Sequence, residues 1–288
     1  MNVAREPAEL PVARRSVALG TFDGVHRGHV RVIEAARKAG LRTTVVTFDP
    51  HPRAVLGSNV ELLVTLERRL ELLEDAGVED VLVLHFDERL AGLSAGEFAE
   101  GILRGIGAEI VVAGDTFRFG RGREGDLELL ERLGFDVRRV PLVDNVSSSL
   151  IRELVHAGEI ERAATVLGRP PEVEGTVVRG DGRGRELGFA TANLDVPADL
   201  LVPPDGVYAG WSLDRRAAVS IGTNPHFDGV ERRVEAHLLD FDADLYGERM
   251  VVELWSPLRE QSRFDSLDEL VAAIADDVER TRGAVRPV

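Results

Sequence analysis

The stretch GTFDGVHRGHV, residues 20–30, follows an apolar run at residues 17–19 that predicts the end of a β-strand. Within it, His26 and His29 stand three residues apart around Gly28, just before an apolar pattern with helical spacing. On the first turn of a helix two such side chains project the same way, and the free amides of that turn present the positive end of the helix dipole. The stretch therefore predicts a strand, a loop and a helix that together seat a phosphate.

Other kinds of site explain this pattern less well. A metal site would need a third and a fourth ligand at suitable spacing, and no cluster of histidines or carboxylates lies nearby in the sequence. Histidines exposed at a helix start would not account for the whole order of strand, GTFDG, HxGH and helix. The single lysine, Lys38, lies outside any glycine-rich loop, so a P-loop is absent. Arginine, histidine, backbone amides and magnesium would have to neutralise nucleotide phosphates.

Around this stretch, short β-branched runs alternate with helical patterns from residue 16 to about residue 143. The predicted strands are SVALG, TTVVTF, VLVLHF, EIVVAG and DVRRVPLV, and the predicted helices are HVRVIEAARKAG, TLERRLELLEDAG and SAGEFAEGILRGIG, the last with a capping box at Ser94 and Glu97. Such alternation predicts an α/β fold with a Rossmann-like parallel sheet. Ligands on these sheets gather at the carboxyl ends of the strands, where residues 20–30 would lie.

The pattern changes after SSSLIRELVHAGEIERAATVLG, which predicts one or two helices, at GRPPEVEG, where two prolines stop helical propagation. We therefore predict two domains, residues 1–168 and 169–288. Beyond the boundary, EVEGTVV, GVYAGWSL, RAAVSIG, RRVEAHLLDF and RMVVELWSPL predict a small antiparallel β-barrel. A closing amphipathic helix follows, with a capping box at Ser266 and Glu269. Its predicted buried face comprises Leu267, Leu270, Val271, Ile274 and Val278.

Composition narrows the class of protein. The chain has 288 residues, 44% of them hydrophobic and 30% charged, and its apolar runs are too short to cross a bilayer. The stretch at residues 1–15 lacks the apolar core of a signal peptide, so we expect a cytoplasmic protein without membrane partners. A formal net charge of -15 disfavours nucleic acid. The absence of cysteine excludes disulfides, thiolate metal sites and thiol nucleophiles.

GTFDGVHRGH resembles the nucleotide-binding signature of the HxGH nucleotidylyltransferase superfamily. With the later motifs, the chain resembles the family of bacterial bifunctional riboflavin kinase/FMN adenylyltransferases, or FAD synthetases, from about residue 16 to residue 283. The resemblance implies phosphorylation of riboflavin to FMN by ATP, and adenylyl transfer from ATP to FMN that gives FAD and pyrophosphate. It also implies Mg2+. In the second reaction the FMN phosphate attacks the α-phosphorus of ATP, so alignment and charge stabilisation suffice.

The resemblance also implies residue roles in the adenylyltransferase site, where His26 and His29 would be catalytic. FDPHP at residues 48–52 matches a family loop, and VSSSLIR at residues 146–152 resembles a second phosphate-binding motif. The implied ATP-binding residues are Gly20, Phe22, Asp23, Gly24, His26, His29, Ser147, Ser148 and Arg152. Taken alone, the serines favour a helix N-cap. One departure is Thr116, where the family segment before FRFG has Asn or Asp. The alternative is therefore a riboflavin kinase with a weakened or lost adenylyltransferase domain.

A second site is indicated by RGDGRGRELGFATANL, residues 179–194. Its glycines allow a tight loop, and hydroxyl and carboxamide oxygens suit magnesium. GFATAN resembles the kinase motif GFPTAN with Ala190 in place of proline, which implies that Thr191 and Asn193 hold magnesium and the ATP phosphates. Gly182, Gly184 and Arg185 would bind ATP or flavin. Glu235 would be the catalytic base for the riboflavin 5′-hydroxyl.

Several points remain open at this level. Either Arg259 or Arg263 would contact ligand, and His226 is expected to be a loop residue without a catalytic role. A flavin-binding regulator would usually have a DNA-reading helix pair under a basic patch, which this acidic chain does not show. A relative of class I aminoacyl-tRNA synthetases would need a lysine-rich second signature, which one lysine excludes.

Overall fold

A computed structural model describes residues 1–141, 146–180, 184, 187–223 and 232–288 of the chain. The chain forms two compact units. The N-terminal unit comprises Met1–Val60 and Leu66–Val146, and the C-terminal unit comprises Glu61–Thr65 and Ser147–Val288. Among the described residues, no helix has the length and apolar character that crossing a membrane requires.

The N-terminal unit is built on a parallel sheet of six strands in the order β1-β4-β3-β2-β5-β6, which confirms the predicted α/β fold. The strands are β1 (Asn2–Ala4), β2 (Arg15–Leu19), β3 (Arg42–Asp49), β4 (Asp80–His85), β5 (Ala108–Gly114) and β6 (Asp136–Val140). The helices are α1 (Arg27–Arg37), α2 (Pro52–Val55), α3 (Leu66–Asp75), α4 (Glu88–Gly92), α5 (Ala95–Phe98) and α6 (Leu127–Arg132).

The sheet is buried on both faces, as the near-continuous apolar runs predict. Successive residues of β2 point to opposite sides, so Leu19 packs in one core cluster with Phe98 of α5, and Ala18 packs in another with Ile33 of α1. Every residue of β2 is buried. The strand is therefore fixed from both sides up to the point where the loop at residues 20–26 begins.

Two features of this unit were not predicted. Strand β1 is only three residues long and pairs with β4 at the edge of the sheet. The helix that starts at α5 continues as a π-helix over Ala99–Arg104. Its start was predicted correctly, because Ser94 and Glu97 form the reciprocal capping box. Short strands and changes in helix type leave little trace in hydrophobic periodicity.

A buried charge cluster lies at the amino end of the sheet. Asp80 is fully buried and accepts hydrogen bonds from Arg15, Arg42 and Asn2, with Arg42 Nε at 2.6 Å and Asn2 Nδ2 at 2.8 Å. Burial alone would raise the pKa of Asp80, but these hydrogen bonds outweigh it and lower the pKa to about 2. The cluster joins β1, β2, β3 and β4 by charge as well as by backbone pairing.

The C-terminal unit contains a closed antiparallel barrel with the strand order β10-β11-β8-β7-β12-β9, which confirms the predicted barrel. The strands are β7 (Glu172–Val178), β8 (Ala192–Asp195), β9 (Gly206–Ser212), β10 (Arg215–Gly222), β11 (Arg233–Leu238) and β12 (Arg249–Arg259). The helices are α7 (Ser148–His156), α8 (Ile160–Leu167) and α9 (Leu267–Gly283). Strand β8 was not predicted, because its residues fall inside the GFATANL motif, which indicated a loop.

Helices α7 and α8 belong to the same compact unit as the barrel. Ile160 of α8 lies in the barrel core, and Ile151, Leu154 and Leu167 form a separate cluster with Leu63. The compact unit therefore begins at Ser147, before the two helices. The boundary after residue 168 stays a prediction about where one activity ends and the other begins.

The predicted buried face of the closing helix is wrong in detail. Leu267 is 52% exposed, and the residues that α9 buries most completely are Asp277 and Thr281. Asp277 is buried because it forms an ion pair with Arg259 of β12, in which Nη2 of Arg259 lies 2.8 Å from Oδ2 of Asp277. Ser266 caps the helix, but the Glu269 carboxylate accepts from the amide of Asp265 rather than from that of Ser266.

The first prediction concerns the buried cluster. Asp80→Asn should lower the free energy of unfolding of the N-terminal unit by about 3–5 kcal/mol at pH 7, because Arg15 would keep a buried charge without its carboxylate. The contribution of Asp80 to the free energy of unfolding is fully present above its unfolded pKa of about 3.9. It is lost as the pH falls through the folded pKa of about 2. Hydrogen exchange of the β4 amides measures it.

The control is Glu109→Gln, which removes an exposed ion pair with Arg14 and should leave exchange in β4 unchanged. If Asp80→Asn exchanged like the wild type at pH 7, the cluster would not stabilise the sheet.

Candidate functional site

The loop after β2 has an unusual backbone. Gly20 extends the sheet by donating its amide to the Val46 carbonyl at 3.2 Å. The chain then takes positive φ at Phe22 (52°), Gly24 (82°) and Val25 (39°). Positive φ is costly for residues with a Cβ and above all for a β-branched one, and such strain is typical of functional sites.

His26 is the N-cap residue of α1. Its Nδ1 accepts a hydrogen bond from the His29 amide at 3.3 Å, so Nδ1 carries no proton. A neutral imidazole must then have its proton on Nε2, which leaves Nε2 as a donor. The two histidine rings stack with centroids 3.6 Å apart and planes inclined by 14°. The structure therefore brings His26 and His29 together as predicted. The His29 amide, however, was predicted to be free and instead donates to His26.

Gly28 allows the histidine ring to lie close to the helix backbone. A Cβ built on Gly28 would come within 3.1 Å of Cε1 and 3.2 Å of Nδ1 of His26. These distances are shorter than normal van der Waals contacts, so the ring would have to shift. The glycine in HxGH is therefore explained by the position of the first histidine.

Other polar residues of the N-terminal unit share the carboxyl edge of the sheet. Thr116 follows β5 and is exposed. His51 follows β3 and is buried, and its Nδ1 accepts from the Arg53 amide at 3.1 Å, so that it caps α2 as His26 caps α1. The cap at His51 was not predicted, although a residue directly before a proline is typical of a helix start.

The second predicted phosphate motif lies at the start of α7. Ser147 is its N-cap, and its Oγ accepts from the Leu150 amide at 3.1 Å, as the simpler interpretation of the serines predicts. Arg152 lies one turn further, and its Nε donates to the Glu61 carbonyl at 2.5 Å. These residues belong to the C-terminal unit, whereas Gly20 to His29 belong to the N-terminal unit. A role of Ser147, Ser148 and Arg152 in ATP binding stays a prediction.

The C-terminal unit carries a cavity of about 380 Å³, which is lined by residues of the barrel and of α9. Of the predicted kinase residues, Gly184, Thr191, Asn193 and Glu235 line it. Gly182 and Arg185 lie outside the described residues, as does His226.

Strand pairing brings the predicted kinase residues together. Asn193 of β8 and Glu235 of β11 are directly opposite each other in the antiparallel register. The Thr191 hydroxyl lies 3.5 Å from a carboxylate oxygen of Glu235, at the limit of a hydrogen bond. Burial alternates along β11, with Ala236 in the barrel core and Glu235 half-buried on the cavity side. A carboxylate, a hydroxyl and a carboxamide therefore meet at one wall of the cavity.

Two glycines let the preceding loop approach these side chains. A Cβ on Gly180 would lie 2.4–2.7 Å from the carboxamide atoms of Asn193, and one on Gly184 would lie 2.4 Å from the Phe189 carbonyl oxygen and 3.3 Å from Oγ1 of Thr191. Both positions therefore exclude a side chain. The close approach forms a polar cradle around the hydroxyl and carboxamide oxygens, which are hard ligands of the kind that magnesium prefers.

A residue that was missed, His237, holds the motif in place. Its ring nitrogen Nδ1 lies 2.8 Å from the Ala190 carbonyl, and its ring meets Phe189 edge-on at 5.7 Å. His237 lies on the same face of β11 as Glu235, since side chains two residues apart in a strand share a face. The alternation of side chains along this strand could have indicated from the sequence that His237 shares a face with Glu235. The hydrogen bond between His237 and the Ala190 carbonyl restrains the backbone at residue 190, the position at which the family motif has proline.

The two arginines near the final helix differ in their surroundings. Arg259 lines the cavity and binds Asp277 through Nε and Nη2, and its guanidinium lies 5.5 Å from the Phe264 ring centre. Burial raises the pKa of Asp277, although Arg259 partly offsets the shift. Arg263 is exposed and is not among the described residues that line the cavity. Of the two, Arg259 is the one placed to reach a ligand there.

Comparison with known families matches each half of the chain separately. Residues 11–152 match the FAD synthetase family, and residues 167–285 match the riboflavin kinase family.

The relatives are similar over nearly the whole chain. A bifunctional riboflavin kinase/FMN adenylyltransferase of Listeria monocytogenes is 36% identical, and the match covers 92% of this chain and 91% of that protein. Its counterpart in Escherichia coli K12 is also 36% identical, over 96% of this chain and 93% of that protein. A solved structure described as a macrolide-efflux protein from Streptococcus pneumoniae is 33% identical, with a TM-score of 0.84 over 97% of this chain and 98% of that chain.

The cap geometry predicts the protonation of His26. Long-range ¹⁵N–¹H correlation spectra at neutral pH should show the neutral His26 ring with its proton on Nε2, because Nδ1 accepts the His29 amide. His85 is an internal control, since its ring is exposed and makes no hydrogen bond to the described residues, so it should show both tautomers. A proton on Nδ1 of His26 would contradict the cap.

Proposed function

We propose that this chain, which belongs to the family of bifunctional riboflavin kinase/FMN adenylyltransferases, carries adenylyl transfer on residues 1–168 and the kinase activity on residues 169–288. The enzyme phosphorylates riboflavin to FMN with ATP and adenylylates FMN to FAD with release of pyrophosphate. The histidine pair serves adenylyl transfer, and the barrel cavity serves the kinase reaction. The observation that carries this assignment is the convergence of Thr191, Asn193 and Glu235 on one cavity, apart from the histidines.

In adenylyl transfer, His26 and His29 hold the phosphates of ATP. A phosphate oxygen of FMN forms a bond to the α-phosphorus while the bond to the pyrophosphate oxygen breaks, so negative charge moves onto the leaving group. A donor at Nε2 of His26 and the amides of the first turn of α1 stabilise that charge without forming a covalent intermediate. Gly20, Phe22, Asp23 and Gly24 shape the loop, and Ser147, Ser148 and Arg152 bind the pyrophosphate end.

In the kinase reaction, Glu235 accepts the proton of the riboflavin 5′-hydroxyl as its oxygen forms a bond to the γ-phosphorus and ADP leaves. The cavity volume of about 380 Å³ is within the range of small-ligand sites. Gly182, Gly184 and Arg185 are assigned to ATP or flavin by their motif.

The kinase residues fit a magnesium ion. Thr191 and Asn193 offer hydroxyl and carboxamide oxygens, and Gly180 and Gly184 keep the space around them free of side chains. When bound, Mg2+ would neutralise charge on the ATP phosphates. Thr191 and Asn193 orient that end of the nucleotide, and Glu235 handles the proton.

The alternative, a kinase that has lost adenylyl transfer, rests on Thr116 alone. The match of residues 11–152 to the FAD synthetase family favours the bifunctional enzyme, as does the capped histidine pair. We also propose a cytoplasmic location without nucleic acid partners, since the enzyme consumes ATP and its net charge of -15 repels polyanions.

Two substitutions test the separation of the sites. His29→Ala should reduce FAD formation from supplied FMN to background and leave FMN formation from riboflavin unchanged, because only one phosphate site is lost. Glu235→Ala should do the reverse, with a loss of at least about a hundredfold in FMN formation. Each activity serves as the folding control for the other in product analysis by chromatography. If either substitution silenced both reactions in a folded protein, the assignment of separate sites would be wrong.

The restraint on Ala190 gives a further prediction. His237→Phe should lower kcat/KM of the kinase by about fivefold, since it removes one hydrogen bond worth ~1 kcal/mol but keeps the ring contact with Phe189. Ala190→Pro restrains the backbone of the same residue covalently through φ, and the Ala190 amide donates no hydrogen bond among the described residues that proline would remove. The loss caused by His237→Phe should therefore be smaller in the Ala190→Pro background. Equal losses in both backgrounds would show that His237 acts elsewhere.

A further inference from the structure

A buried arginine lies beneath the loop that precedes α1. Arg69 belongs to α3, and its side chain is fully buried. Its Nη1 donates to the carbonyls of Thr21 and Phe48, both at 3.0 Å, and lies 3.3 Å from Oγ1 of Thr47. Thr21 follows β2, and the other two residues end β3. The guanidinium therefore ties together the carboxyl ends of two neighbouring strands, at the edge where the histidine loop begins.

The charge of Arg69 is not neutralised by an ion pair with any described residue. Its Nε and Nη2 are also buried without a hydrogen-bond partner there. Burial lowers the pKa of Arg69, whereas the carboxylates of Asp23 and Asp49 raise it through space. The other fully buried arginine of this sheet, Arg15, has Asp80 as its partner. A buried cation without an ion pair is costly, so stability alone does not account for Arg69.

The carbonyl that Arg69 holds is the anchor of the strained loop. Thr21 directly precedes Phe22, the first residue with positive φ, and Val25 follows with the same feature. The Thr47 hydroxyl also donates to the Thr21 carbonyl, at 2.9 Å, so this oxygen is held by two donors. Strained backbone persists only where the surrounding structure over-determines it. Arg69 and Thr47 provide that restraint.

We propose that Arg69 is a positioning residue of the adenylyltransferase reaction, which holds the Thr21 carbonyl and thereby keeps the loop and His26 in the geometry that binds the ATP phosphates. The inference rests on the proposed function of the N-terminal unit. Arg69 acts through the loop, so its effect should be seen in ATP binding.

The test compares Arg69→Met with Arg69→Lys in the full chain. Arg69→Met should raise the KM for ATP in FAD formation by about tenfold or more, because a displaced loop misplaces the phosphate contacts. Arg69→Lys should stay within about threefold of the wild type, because all three bonds of Arg69 are made by one nitrogen and an ammonium group can donate to the same acceptors. FMN formation in the C-terminal unit should be unchanged in both.

Arg15→Met is the matched control, since it removes an equally buried arginine at the opposite end of the same sheet. It should lower the unfolding temperature of the N-terminal unit and leave the KM for ATP unchanged. If Arg69→Met does not fold, Thr47→Val removes the second donor to Thr21 and should raise this KM by about threefold.

Two results would overturn the inference. One is a KM for ATP within twofold of the wild type in the folded Arg69→Met protein or, where that protein does not fold, in Thr47→Val. The other is an equal rise of this KM in Arg15→Met. A wild-type protein that makes no FAD would instead refute the proposed function.

Discussion

An imidazole nitrogen of His26 accepts a hydrogen bond from the amide of His29, the third residue of α1, and the geometry of the N-terminal site depends on this hydrogen bond. An aspartate would cap the helix as well, but its carboxylate would offer no side-chain donor to a phosphate. Because Nδ1 of His26 is the acceptor, its ring is held at the helix start with Nε2 as the protonated nitrogen, and the His29 ring stacks on it. One bond therefore sets the start of the helix, the tautomer and the distance between the two rings.

The barrel uses main-chain pairing for the same purpose. The register of β8 against β11 places Asn193 opposite Glu235, and the short distance to Thr191 follows from it. In both units a glycine permits the close approach, since a Cβ on Gly28 would meet His26 and a Cβ on Gly180 would meet Asn193. The side chains that perform chemistry are thus positioned by backbone hydrogen bonds, which are strong and directional, rather than by side-chain packing alone.

The elements with clear periodicity were predictable from sequence, because burial on one or both faces leaves a pattern of apolar residues. The helix after the histidine motif followed from the same reasoning, whereas the role of Glu235 in the second site came from the resemblance to the family. Strand β8 was missed because four residues inside a polar motif carry no alternation. Arg69 and Asp277 were missed because a charged residue in a helix indicates exposure, and only the fold shows that each occupies a buried position. Their burial depends on residues distant in sequence, so no local pattern contains it.

A crystal structure with a non-hydrolysable ATP analogue would show whether the histidine pair binds the triphosphate. We predict triphosphate oxygens within hydrogen-bonding distance of Nε2 of His26 and of the amides at the start of α1, with Nδ1 of His26 still bound to the His29 amide. A nucleotide bound to the N-terminal unit with its phosphates away from both histidine rings would contradict the account, even if the enzyme made FAD.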